Sequence, residues 1–153
     1  MTAASDDGTR QDVSWHQSFG WGLLTVVDDD ARTAELPVGV GQGAVSASTS
    51  WLAVPVRHAQ DVEAPDGWPD DLGIPGAQVA VVVAFQAAAP GDPVHFDGEL
   101  WCPSGRLMVG DPETERQVDV VAGAVRIQVS LFPAEHAEAV VLRLLPASCS
   151  AAR

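Results

Sequence analysis

Arg116-Gln-Val-Asp-Val-Val121 and Ala124-Val-Arg-Ile-Gln-Val-Ser-Leu131, joined by Ala122-Gly123, decide the fold. In the second stretch Val125, Ile127, Val129 and Leu131 alternate with Arg126, Gln128 and Ser130. A period of two belongs to a strand with one face in a core and one toward water, and two such runs about a glycine read as a hairpin. Beyond it, Pro133 to Glu138 reads as a loop or a single helical turn, and Ala139-Val-Val-Leu-Arg-Leu-Leu145 as a last strand stopped by Pro146. Before it, Gly110-Asp-Pro-Glu-Thr-Glu115 reads as an acidic loop, Arg106-Leu-Met-Val109 as a short strand and Pro103-Ser-Gly105 as a turn. Val94-His-Phe leads to the hairpin-type pair Asp97-Gly98 and on to Glu99-Leu-Trp-Cys102. Gln78-Val-Ala-Val-Val-Val-Ala-Phe-Gln86 is apolar on both faces and reads as a central, doubly covered strand.

Residues 57–76 form a long loop rich in Asp, Pro and Gly, with Trp68 inside it; loops of that length are uncommon in compact domains and are often functional. Ala44 to Val56 holds one or two strands, with Pro55 at an edge or a strand end. From Val13 one strand runs on through Val27, bulged at its glycines, with Val13, Trp15, Phe19, Trp21 and Leu23 on one side and Ser14, His16 and Ser18 on the other. Asp28-Asp29-Asp30 ends it as a turn or loop whose charges belong in water. No amphipathic helix of about twelve residues or more is visible. Strands at roughly 8–12-residue spacing define an all-β chain, a single-domain antiparallel β-sandwich or an open β-barrel. The domain is expected to span residues 13–146, after a disordered acidic tail of 1–12 and before a flexible tail of 147–153.

The chain has 153 residues, 46% of them hydrophobic, which is enough for one core. Eight Lys plus Arg face 21 Asp plus Glu, for a formal charge of −13. Such a surface repels nucleic acid and anionic membranes, so neither is an expected partner. All eight basic residues are Arg, and Tyr and Asn are also absent, a composition typical of GC-rich bacterial coding. Without Lys there is neither a Schiff-base lysine nor a phosphate-loop lysine. The start, Met-Thr-Ala-Ala-Ser-Asp-Asp, has neither the basic nor the apolar region of a signal peptide. No apolar run nears the ~18 residues of a membrane span. Cys102 and Cys149 are accordingly expected as free thiols in a cytoplasmic protein.

Catalytic and metal chemistry find little purchase. His16, His58, His95 and His136 are single and widely spaced, so no metal or cofactor is expected. Asp61-Val-Glu-Ala-Pro-Asp66-Gly67 departs from a calcium loop where it matters, because the twelfth position is Leu72. There is no Gly-x-Ser-x-Gly elbow, and Ser104 sits in a turn without an assignable histidine. Gly39-Val-Gly41-Gln-Gly43 lacks the dinucleotide spacing and a following helix. Cys102, inside a strand, is expected to be buried rather than reactive. The tryptophans remain: Trp15, Trp21, Trp51, Trp68 and Trp101. Trp68, in Asp66-Gly-Trp-Pro-Asp-Asp71, stands in an acidic loop as an interface anchor with steering charges around it would.

Val13-Ser-Trp-His-Gln-Ser-Phe19 resembles the opening strand of the competence-associated nuclease-inhibitor family (competence protein J), a hydrophobic-Ser-aromatic-His-Gln-x-Phe stretch. Val118 to Leu131, followed by a Pro, is similar to the strand–Gly–strand segment that closes those chains. The likeness lies in these two separated pieces and leaves out the acidic loop. It implies a small β-rich protein that binds and inhibits a DNA-processing nuclease, and it singles out His16 and Gln17.

The expected function is that of a non-enzymatic acidic binding protein that inhibits or neutralises a basic partner such as a nuclease or toxin. Asp61, Glu63, Asp66, Asp70, Asp71, Asp111, Glu113 and Glu115 would steer, Trp68 would anchor, and His16 and Gln17 would add contacts. Two alternatives stay open: a small-molecule- or metal-binding barrel with enzymatic activity, and an accessory structural domain of a larger assembly.

Overall fold

Ten strands form two five-stranded sheets among the residues that the computed structural model describes, 10–31, 44–60, 66, 67, 69 and 76–147. They are β1 (Val13–Gln17), β2 (Leu23–Asp28), β3 (Ser46–Ala47), β4 (Trp51–Pro55), β5 (Val79–Ala84), β6 (Phe96–Cys102), β7 (Arg106–Asp111), β8 (Thr114–Asp119), β9 (Gly123–Phe132) and β10 (Ala139–Pro146). One turn of 3-10 helix, Asp29–Ala31, follows β2. The first sheet has the order β1-β5-β10-β9-β6 and the second β3-β4-β2-β7-β8. All neighbours are antiparallel except β5 and β10. None of the described helical residues forms a helix long and apolar enough to cross a membrane.

The inward faces share one core, with Phe19, Leu24, Leu52, Leu100, Leu107, Ile127 and Leu142 fully buried. Along β9 the expected alternation holds, since Val125, Ile127, Val129 and Leu131 all point into it. The sheet edges meet through isolated contacts and not through a ladder. At one side the Gln17 Nε2 donates to the Thr114 carbonyl, 3.3 Å. At the other the Trp101 N–H donates to the Thr49 carbonyl, 2.7 Å. The architecture is therefore a sandwich, and the barrel alternative falls.

Several local readings are corrected. The stretch 116–131 is not a hairpin: β8 pairs with β7 in one sheet, while β9 pairs with β10 and β6 in the other. Ala122-Gly123 is a corner between sheets, with Gly123 at φ +121. Val13 to Val27 is likewise two strands in different sheets, broken where the buried Phe19 draws the chain inward and Gly22 takes φ +68. β5 buries Val79, Val81 and Val83, but Ala80 and Val82 on its other face stay half-exposed. Asp97-Gly98 lies inside β6 and makes no turn; Gly98 leaves room for the Phe96 ring, whose Cζ would be 2.7 Å from an added Cβ.

The outer face of β9 is covered, which its polar residues did not announce. The β5–β6 connection crosses it as a strap: the Ala88 N–H donates to Gln128 Oε1 (2.9 Å), and the Ser130 hydroxyl donates to the Pro93 carbonyl (2.5 Å). Arg143 reaches Asp92 at 3.5 Å. Beside it Arg126 grips Asp97 with Nε and Nη2 at 2.8 and 2.6 Å. Those Arg126 bonds, with a further one from Gln128, hold the Asp97 carboxyl down to about 2.

The largest departure is Asp28, read as solvated and found 1% exposed. Its Oδ1 accepts from the Ser104 hydroxyl (2.6 Å), the Cys102 thiol (3.1 Å) and the Ser104 N–H (3.2 Å). Burial pushes this carboxyl up, but the Ser104 and Cys102 donors, with backbone N–H groups of Ser104 and Asp30, outweigh it and hold it below its ordinary value. Burial, then the Asp28 hydrogen bond and charge, push the Cys102 thiol up to about 11. Asp29 and Asp30 turn outward and pair with Arg106 at 3.0 and 3.4 Å.

Asp28→Ala is expected to cost about 3 kcal/mol in urea unfolding, since it strands the buried Ser104 and Cys102 donors. In a Cys149→Ser background the Cys102 thiol should resist alkylation at neutral pH until the protein unfolds, and an alkylation rate unaffected by urea would refute its burial. Asp97 carries the opposite signature to a base: with its pKa depressed, its contribution is present above about pH 4 and is lost as pH falls toward 2. Arg126→Ala should return the Asp97 midpoint toward the ordinary carboxyl range in an NMR titration.

Candidate protein-binding surface

The sandwich has two ends, and His16, Gln17, Asp111, Glu113 and Glu115 gather toward one of them. β1 ends there, and alternation along it sends Trp15 and Gln17 inward and His16 outward. The Trp15 indole N–H donates to Gln17 Oε1 at 2.7 Å, Gln17 passes the connection to the Thr114 carbonyl, and the Arg116 guanidinium lies 4.7 Å over the Trp15 ring. Gln17, 7% exposed, thus ties the edge of one sheet to the turn of the other, and His16 is left on the surface.

That turn replaces the expected acidic loop. β7 and β8 form a tight hairpin in which Asp111, 3% exposed, accepts from the Glu113 N–H (3.0 Å) and the Thr114 N–H (2.9 Å) through Oδ1. Gly110 is at φ +148, and the Thr114 carbonyl oxygen occupies the space a Cβ would need. Asp111 is a turn-builder; Glu113 is exposed and Glu115, on β8, half-buried. Asp66 is exposed. Trp68, Asp61, Glu63, Asp70 and Asp71 lie outside the described residues.

The same end carries a residue that the sequence reading misplaced. Trp21 was expected to face inward from its odd position, and it is 72% exposed on the β1–β2 turn. The signal was present in its two flanking glycines, Gly20 and Gly22, which suit a turn better than a strand.

Charge is distributed unevenly. Every described arginine is engaged. Arg57 pairs with Glu138 at 3.7 Å, and Arg106, Arg126 and Arg143 pair with the aspartates already named. Arg10 lies 3.9 Å over the Phe85 ring and donates to the Asp119 carbonyl, and Arg116 covers Trp15. The excess in the net −13 falls to acids such as Asp66, Glu113 and Glu135 that have no salt bridge among the described residues.

Among the described residues the four histidines are either bonded to backbone N–H groups or exposed. His58 Nδ1 accepts from the Gln60 N–H (3.0 Å) and His95 Nδ1 from the Leu131 N–H (3.1 Å), while His16 and His136 are exposed. Among the described residues no three His, Cys, Asp or Glu side chains converge as metal ligands. A cleft of about 340 Å³ at the opposite end is lined by Phe85, Val120, Val125, Leu144 and Pro146 beneath Arg10, and no carboxylate, imidazole or thiol lines it.

Comparison with solved structures finds this architecture in the crystal structure of ComJ, inhibitor of the DNA-degrading activity of NucA, from Bacillus subtilis. The match has a TM-score of 0.50 at 12% sequence identity and covers 89% of this chain and 98% of that one. A chain described as crocagin biosynthetic gene J matches with a TM-score of 0.47 at 12% identity, over 90% of this chain and 96% of that one. No family profile and no curated protein matches the sequence. The likeness to the competence-inhibitor family read from Val13–Phe19 thus extends to a shared fold.

Asp111→Ala should lower stability by about 1–2 kcal/mol, because two turn N–H groups lose their acceptor. Glu113→Ala, two residues away and exposed, should fall within about 0.5 kcal/mol of the parent. Equal losses in thermal unfolding would contradict the assignment of Asp111 to the turn.

Proposed function

We propose that this chain is a non-enzymatic binding protein that inhibits a basic protein partner, with a DNA-degrading nuclease the leading candidate. The observation that carries the proposal is the charge distribution: described arginines are consumed in internal contacts, and exposed carboxylates are left to set the surface field. A nuclease holds a polyanion in a basic cleft, so an acidic surface competes for that cleft and finds it fast. The fold shared with ComJ, itself an inhibitor of NucA, supports the same reading. We assign steering to Asp66 and Glu113, with Glu115 and the acids at Asp61, Glu63, Asp70 and Asp71, and a contact to His16. The buried, unpaired Cys102 thiol suits a reducing cytoplasm.

Degradation of plasmid DNA by a panel of purified nucleases, NucA from Bacillus subtilis among them, should be inhibited by the chain for at least one member. The association rate with that member should fall steeply as salt rises, and an Asp66→Lys/Glu113→Lys variant should associate several-fold more slowly with little change in dissociation. Failure to inhibit any member, or an association rate indifferent to ionic strength, would sink the reading.

A further inference from the structure

Trp21 presents most of an indole to water from a turn that is held rigidly. The Gly22 N–H donates to the Phe19 carbonyl (3.1 Å), the Ala59 N–H to the same carbonyl (2.9 Å) and the Val56 N–H to the Gly22 carbonyl (2.9 Å). Phe19 is wholly buried beneath, and the His58 ring packs where a side chain on Gly22 would stand. On the other flank the Gln78 Nε2 donates to Ser18 Oγ at 2.9 Å. The turn is therefore pinned to both ends of the β4–β5 connection and loses little freedom on binding.

Of the other described tryptophans, two are accounted for within the fold. Trp15 is buried and the Trp51 indole N–H donates to the Ala31 carbonyl, whereas Trp101, 51% exposed, lies at a sheet edge toward the opposite end of the sandwich, with its backbone bonded to Thr49 and Ser50. The Trp21 indole N–H has no partner among the described residues, and its ring is 72% exposed, the most exposed of the described tryptophans. Apolar area left in water at about 25 cal/mol per Å² is a standing cost that folding does not recover.

We infer that Trp21 is the anchor by which this chain seats on its partner, entering an apolar pocket rimmed by Lys or Arg on a basic protein. The occupant's chemistry follows from the charge around the turn. The β1–β2 turn shares its end of the sandwich with the exposed Glu113 and with the Glu138–Arg57 pair, so a pocket that accepts the indole meets the Glu113 carboxylate toward its rim, and a cation there also gains the face of the ring. This inference rests on the proposed binding function and names the residue that holds the complex once charge has assembled it.

The test measures affinity for the nuclease inhibited in the panel, with the wild-type chain, Trp21→Ala, Trp21→Phe and Trp68→Ala, each checked by urea unfolding. Trp21→Ala should lose about 30-fold or more in affinity, through faster dissociation, with the salt dependence of association and the unfolding midpoint unchanged. Trp21→Phe should recover part of that loss, and Trp68→Ala should bind within a few-fold of wild type. Binding by Trp21→Ala within about threefold of wild type overturns the anchor while leaving the binding function standing. Loss confined to Trp68→Ala places the anchor in the 61–71 loop and overturns it equally. If the wild-type chain binds no member of the panel, the function and the anchor fall together.

Discussion

One buried carboxylate holds the two sheets in their relation. Asp28 ends β2 in one sheet, Cys102 ends β6 in the other, and Ser104 lies in the corner between β6 and β7; all three meet at a single oxygen. A buried ionised group without partners costs several kcal/mol, so any packing that moved this corner would leave Asp28 exposed to that cost. The interaction is therefore selective: it stabilises the observed corner chiefly by penalising others. Arg106, which begins β7 just beyond the corner, turns back onto Asp29 and Asp30, so the run of three aspartates closes the end of the sandwich from both inside and outside.

Most strands were legible in the sequence, and their partners were not. Val125, Ile127, Val129 and Leu131 announced an inward face because period two is a property of one strand alone. Which sheet a strand joins is invisible to that period, because both sheets of a sandwich bury one face. Three short connections cross between sheets, β1 to β2, β6 to β7 and β8 to β9, and each crosses on a glycine at positive φ: Gly22 (+68°), Gly105 (+75°) and Gly123 (+121°). In the sequence a corner glycine looks like a hairpin glycine, which is why Ala122-Gly123 read as a turn within one sheet. Asp97-Gly98 misled in the other direction, its glycine answering to a neighbouring phenylalanine ring and its aspartate to Arg126 across the ladder.

The candidate surface was legible in its chemistry and less so in its placement. Gln17 and Asp111 were chosen as polar contacts, and both face inward because their partners are backbone groups of a turn, which no residue pattern displays. Asp28 is drawn inward instead by side-chain donors from across the corner, the Ser104 hydroxyl and the Cys102 thiol, joined by the Ser104 N–H. His16 and Glu113, whose side chains have no such partner, lie on the surface where the alternation and the turn put them. Trp21 reverses the case: an apolar residue at a strand-like position is turned outward by the glycines on either side.

Charge and apolar exposure answer different needs of a binding protein. Carboxylates in water act over about 8–10 Å at physiological salt, which is enough to raise the rate of encounter, and each exposed ion pair then adds little to the lifetime of a complex. Lifetime comes from area removed from water in a pocket, and a tryptophan supplies it at the cost of ordering two torsions. In the proposed function, a chain that commits its described arginines to its own acids and rings would attract a cationic partner but, by charge alone, would hold it weakly. In the proposed complex a rigid indole on the β1–β2 turn would provide the missing half, and its placement on a turn rather than in the core follows from Gly22 at φ +68 as directly as the corner at Gly123 follows from its own φ.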